Sequence, residues 1–183
     1  MNFVETKLPG VMLLTANIIA DERGYFFESY NEQAFQQAGI ISSFVQDNQS
    51  KSSYGVLRGL HSQLGKYAQA KLVRVLAGKI LDVAVDVRHG SSTYGQYVSV
   101  ELSSQQQNQL FIPRGFLHGF VVLSESCTVA YKCDNFYCKE AEFSVLWNDP
   151  ALNIDWQIPV KDIKVSSKDQ LANRFEDAVN CRG

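Results

Sequence analysis

The chain has 183 residues and three histidines. Two of the histidines stand among groups that could share one reaction. His61 follows Arg58 in "VLRGLHSQ" (56–63), an apolar β-rich run with a glycine at its centre. His118 ends "IPRGFLH" (112–118), Lys71 lies in "AKLVRVLAG" (70–78), and Tyr131 lies in "CTVAYKC" (127–133). An imidazole with a pKa of about 6.5 is a competent base at neutral pH. An ammonium can stabilise negative charge as it develops on oxygen, a guanidinium can clamp an anion, and a phenol can return a proton. Taken singly, each group is more simply a satisfied polar residue or a packing tyrosine. Taken together, they suit proton abstraction beside a carbonyl, and a base and an acid on opposite faces of a ring would invert a carbon centre. A metal site is not expected. His61-Ser62-Gln63 offers no second histidine, and the next polar positions bring Lys66 and Lys71 where a carboxylate would be needed. His89 adjoins the turn His89-Gly90-Ser91-Ser92 and is expected in solvent.

The elements that must position these groups are mostly strands. In "KILDVAVDVR" (79–88), Leu81, Val83, Val85 and Val87 alternate with Asp82, Asp86 and Arg88. "GQYVSVEL" (95–102) repeats the pattern with Val98, Val100 and Leu102, and 70–78, 120–124 and 127–133 add short β-rich runs. Two stretches read as helix: 31–40, capped by Asn31 and stopped by Gly39, and 167–180, capped by Ser167. Many short strands with few helices imply an all-β sandwich or barrel flanked by short helices. Pro113-x-Gly115-x-x-His118 is the second half of the cupin pattern, in which a turn delivers a histidine onto the next strand of a jelly-roll barrel. In a flat strand Arg58 and His61 have opposite parity and cannot share a cavity. A bulge or bend near Gly59–Leu60 is therefore expected to turn both inward. The alternative leaves Arg58 in solvent.

Hydrophobic residues at 45% and charged residues at 20% are ordinary for a globule that buries a core. The length fits one domain spanning 1–183. A net charge of −2 with no basic stripe argues against nucleic acid, so an anionic ligand must be held by a few placed cations. No apolar stretch approaches a membrane span, and "MNFVETKLPG" is unlike a signal peptide, so the expected location is cytoplasmic. Cys127, Cys133, Cys138 and Cys181 form no Cys-x-x-Cys pair; Cys127 and Cys133 share strand parity and read as core.

A family resemblance runs through the chain in one order of motifs. "DERGYFFESY" (21–30), "FVQDNQSKS" (44–52), "VLRGLHSQ" (56–63), "QAKLVRVLAGKILDVAVDVR" (69–88), "IPRGFLHGF" (112–120) and "SVLWNDP" (144–150) resemble the dTDP-4-dehydrorhamnose 3,5-epimerases from about residue 3 to 172. The resemblance implies a cupin-like jelly roll that epimerises dTDP-4-dehydro-6-deoxy-D-glucose at C3 and C5, toward dTDP-L-rhamnose, with no metal and no organic cofactor. It implies a homodimer whose barrels exchange N-terminal strands. By motif position, His61 corresponds to the general base, Tyr131 to the general acid, Asp169 to the carboxylate orienting the histidine, and Lys71 to the enolate stabiliser. Arg58 corresponds to a diphosphate ligand, and Arg23 and Glu28 to residues reaching the nucleotide, in the partner's site. Gln46, Asp47, Asn48, His118, Glu142 and Lys168 fall at other ligand-contact positions. The resemblance extends to relatives that epimerise only C3 or only C5, and the alternative reading is such a monoepimerase or a ketoisomerase on a related dTDP-ketosugar. Where the family commonly has an aromatic residue after "LRGLH", this chain has Ser62, in a wall of the expected sugar pocket.

Overall fold

The computed structural model describes residues 1–180. Its strands are β1 (Asn2–Glu5), β2 (Met12–Thr15), β3 (Ile19–Asp21), β4 (Gly24–Phe26), β5 (Gln46–Ser53), β6 (Leu57–Gln63), β7 (Lys71–Ala77), β8 (Lys79–Asp86), β9 (Tyr97–Ser103), β10 (Asn108–Ile112), β11 (Phe116–Val122), β12 (Ser126–Cys133) and β13 (Glu142–Ser144). Three short helices are α1 (Glu32–Gln37), α2 (Ser167–Gln170) and α3 (Phe175–Asn180). Two antiparallel sheets face each other, ordered β1-β2-β10-β7-β12-β5 and β13-β6-β11-β8-β9, in a cupin-like jelly roll; β3 and β4 form a separate hairpin.

Three apolar layers follow from the alternation of side chains along the strands. Between the sheets, Val73, Val75, Ile80, Ala84, Leu110, Ile112, Phe116, Phe120 and Val129 fill the barrel. Outside the five-stranded sheet, Leu81, Val83, Val85 and Val87 meet Leu152, Trp156 and Phe175 of the C-terminal segment. Outside the six-stranded sheet, Leu14, Leu72 and Phe111 pack on Phe35 of α1 and on Ile40. β8 thus presents its uniform Leu/Val face outward to a covering segment. Its other face, with Asp82, looks into the barrel.

Asn31 caps α1 through its side chain, and Gly39 takes a φ of +83° just past the end, as expected. The single helix expected over 167–180 is not formed. Ser166, not Ser167, caps α2, which ends after four residues. The chain then extends so that Asn173 bridges to Val145 and exchanges backbone hydrogen bonds with Ser144 and Leu146, before α3 begins. Pairing with the barrel outweighs the local helical preference of this stretch. Cys127 and Cys133 are buried free thiols and Cys138 is a partly exposed one; Cys181 lies outside the described residues. His89 is exposed.

Candidate active site

β6 carries a one-residue bulge. His61 pairs with His118 of β11 and Arg58 with Phe120, so the register slips between them. It falls at Gly59–Leu60, where the peptide bond is cis and Gly59 has a φ of +136°. A Cβ on Gly59 would lie 2.5 Å from the Cα of Gly119 and 2.9 Å from the His118 carbonyl oxygen, so only glycine allows this approach of the two backbones. The slip cancels the parity conflict, and Arg58 and His61 line the same cavity. Arg58 stands at its exposed rim, its Nε donating to Ser52 Oγ at 3.2 Å.

That cavity, of about 530 Å³, is open to solvent and bounded by both sheets and by the segment 164–169. His61 and His118 come from the five-stranded sheet, Lys71 and Tyr131 from the six-stranded one. Asp169 arrives on α2, held there by the Ser166 cap, and lies 2.6 Å from His61 Nε2. A carboxylate at Nε2 holds the proton on that nitrogen and leaves the Nδ1 lone pair available. His118 is paired in the same way, Nε2 to Asp82 Oδ1 at 2.7 Å, but is almost fully buried. Burial pushes the His118 pKa below its ordinary value; Asp82 opposes this, while Lys71 and His61 add to it. Burial also pushes the Lys71 ammonium below the usual lysine range, against the pull of Cys133, Asp82 and Glu142. It raises the Tyr131 phenol, with Cys133 adding to the effect and Arg58 opposing it. The Lys71 Nζ lies 5.9 Å from the Tyr131 ring centroid.

His61, Lys71 and Tyr131 also line a smaller chamber of about 170 Å³, together with Gln46, Asn48 and Glu142. Glu142 accepts from Lys168 Nζ at 2.5 Å and from the Tyr137 hydroxyl at 3.0 Å. Burial tends to raise the Glu142 pKa, but these two bonds and the charges of Lys168 and His61 hold it below the usual carboxylate range.

Three of the residues singled out from the sequence stand elsewhere. Asp47 points to the outer face of β5, opposite to Gln46 and Asn48, and binds Lys132 Nζ at 2.9 Å. Arg23 projects from the β3–β4 hairpin, paired with Asp21, and Glu28 is exposed beside Asn31. Strand parity within "QDN" could have separated Asp47 from its neighbours. Asp82, Ser50, Phe120, Lys164, Ser166 and Tyr137 were not singled out as site residues, yet they line the two chambers or hold groups that do. Asp82 alternates with a strand face that is wholly Leu and Val, a pattern that by itself reads as an aspartate turned to solvent.

Residues 5–177 match the family model of the dTDP-4-dehydrorhamnose 3,5-epimerases. The chain belongs to this family. It is 49% identical over 179 residues to the dTDP-4-dehydrorhamnose 3,5-epimerase of Shigella flexneri, covering 97% of this chain and 98% of that one. The crystal structure of the dTDP-4-dehydrorhamnose 3,5-epimerase from Elizabethkingia anophelis superposes with a TM-score of 0.94 at 54% identity, covering 97% of each chain. The dTDP-6-deoxy-D-glucose-3,5-epimerase of Legionella pneumophila, solved in complex with dTDP-4-keto-L-rhamnose, superposes with a TM-score of 0.92 at 44% identity, covering 100% of this chain and 94% of that one. Among the described residues, no helix of this epimerase-family chain is long and apolar enough to cross a membrane.

Proposed function

We propose that the chain epimerises dTDP-4-dehydro-6-deoxy-D-glucose at C3 and C5 to dTDP-4-dehydro-L-rhamnose, in dTDP-L-rhamnose biosynthesis, without metal or organic cofactor. The observation that carries this reading is that His61 and Tyr131, from opposite sheets, open onto one cavity beside Lys71. C3 and C5 both flank the C4 ketone, so one base and one enolate site can serve both carbons. His61 Nδ1 takes the proton from carbon while Asp169 steadies the imidazolium that forms. The C–H electron pair moves into the enolate, whose oxygen is met by the Lys71 ammonium. Tyr131 delivers its phenolic proton to the other face of the same carbon, which inverts it. Burial favours the protonated phenol, so the acid is loaded when the enolate forms. Solvent then takes the proton from the His61 imidazolium and returns one to the Tyr131 phenolate, and the same cycle runs at the second carbon.

In this reading Arg58, with Lys168 nearby, holds the diphosphate at the cavity mouth, while Gln46, Asn48, His118 and Glu142 contact the sugar. The chain works as a cytoplasmic homodimer. Ile19, Tyr25 and Phe26 of the β3–β4 hairpin are each more than 60% exposed, an apolar surface suited to burial against a second copy. Arg23 and Glu28 would then reach the partner's nucleotide. The test is turnover of the ketosugar in D2O. Deuterium at C3 and C5 supports the reading, deuterium at one carbon marks a monoepimerase, and deuterium at neither overturns it.

A further inference from the structure

The Asp82 carboxylate is wholly buried inside the barrel. Its Oδ1 binds His118 Nε2 at 2.7 Å, and its Oδ2 has no hydrogen-bond partner among the described residues. A carboxylate left in that state is costly unless a positive charge stands near it. Lys71 and His118 line the cavity above it. His118 already spends its Nε2 hydrogen on Oδ1, and burial lowers its pKa as it lowers that of Lys71. Lys71 is the remaining cation, and among the described residues its ammonium is engaged in no ion pair. The groups facing Lys71 are Asp82 on β8, His118 on β11, His61 on β6, Tyr131 and Cys133 on β12, and Glu142 on β13. Glu142 is partly exposed and binds Lys168 and Tyr137 through Oε2, whereas Asp82 Oδ2 is a buried carboxylate oxygen without a hydrogen bond among the described residues.

We infer that Asp82 is a positioning residue: it fixes the ring of His118 and balances the Lys71 ammonium from a distance, leaving the ammonium hydrogens free for the substrate oxygen. A direct ion pair would tie up those hydrogens. A neutral residue at 82 would leave a desolvated amine that loses its proton more easily. The inference rests on the proposed role of Lys71 at the enolate.

The test is kcat and KM against pH for the wild type, Asp82→Asn, Asp82→Glu, Lys71→Met and the double variant Lys71→Met/Asp82→Asn. Losing a nearby charge moves a pKa by about one unit, so Asp82→Asn is expected to lower kcat up to about ten-fold at alkaline pH, with KM little changed. The deficit should shrink as pH falls and Lys71 is recharged. Asp82→Glu keeps the charge and should keep the wild-type profile, even if slower. The double variant should be no slower than Lys71→Met. Asp82→Ser is the second neutral variant should the amide not pack. Neutral variants whose profiles run parallel to the wild type, or additive losses in the double variant, would overturn the inference while leaving the role of Lys71 intact. A Lys71→Met enzyme at the wild-type rate would remove both.

Discussion

Gly59→Ala is the sharpest test of how the site is assembled. At a φ of +136° an alanine is strained by about 1–3 kcal/mol. Its methyl would stand 2.5 Å from the Gly119 Cα and 2.9 Å from a carbonyl oxygen, all backbone atoms with no flexible side chain to give way. Relieving such overpacking costs about another 1–3 kcal/mol, for a total of about 4. In a domain of this size each kcal/mol moves Tm by about 2–4 °C, so calorimetry should show a fall of about 8–16 °C. Gly90→Ala is the control: its φ is +77° but nothing lies within 4 Å of the added methyl, so only the left-handed cost of about 1–2 kcal/mol applies. Any relief must separate β6 from β11 between Arg58 and His61. A displacement of about 1 Å at a reacting group can cost about 100-fold in rate, so kcat should fall in the fraction that remains folded. A Gly59→Ala protein that melts with the Gly90→Ala control and turns over at the wild-type rate would refute the argument that this backbone approach sets the site.

Tyr131→Phe should slow inversion by about 10²–10⁴-fold while deuterium still washes into the substrate, because exchange needs abstraction alone; NMR of the recovered sugar reads both. Arg58→Ala should raise KM by about ten- to a hundred-fold, as expected for a lost charge-assisted contact, with the wild type more salt-sensitive than the variant in steady-state kinetics. In the native protein at pH 8, iodoacetamide should label Cys138 but spare Cys127, whose thiol burial pushes up to about 11, and Cys133, whose thiol burial also raises; peptide mass mapping distinguishes them. Burial tends to raise the Asp86 pKa, but hydrogen bonds from Arg88, Ser91 and Thr93 hold it well below the ordinary value of 3.8. Its contribution to stability is therefore full above that value and is lost as pH falls beneath it. Thermal melts should show Asp86→Asn below the wild type at pH 7, with the gap closing under pH 4.

What could be read beforehand follows from where each residue's partners lie. The bulge at Gly59 was legible because parity alone forbade Arg58 and His61 from sharing a cavity. The strand carrying His118 was legible from the Pro113-Gly115 turn. β5 was not, since "QDNQSKSS" contains no apolar residue: the inner positions Gln46, Asn48 and Ser50 line a wet cavity, so no hydrophobic alternation marks them. Asp47 was grouped with the neighbours it turns away from because all three match the family's "QDN" segment. The break after α2 was hidden because its cause, pairing of Asn173 with residues 144–146, lies across the fold. Asp82 was visible as a polar residue, but whether its face was solvent or barrel depended on the covering C-terminal segment.

The two sheets are held apart by the apolar filling between them. Phe116, Leu110, Ile112 and Val73 therefore act as a gauge block, because close-packed side chains transmit a change in volume instead of absorbing it. In the proposed mechanism the base and the acid stand on opposite jaws, so the thickness of this block sets the width of the slot that receives the sugar. A methylene gained or lost deep in the barrel would then recalibrate substrate fit without altering any residue that faces the cavity. Selection on stability and selection on substrate shape would act on the same side chains.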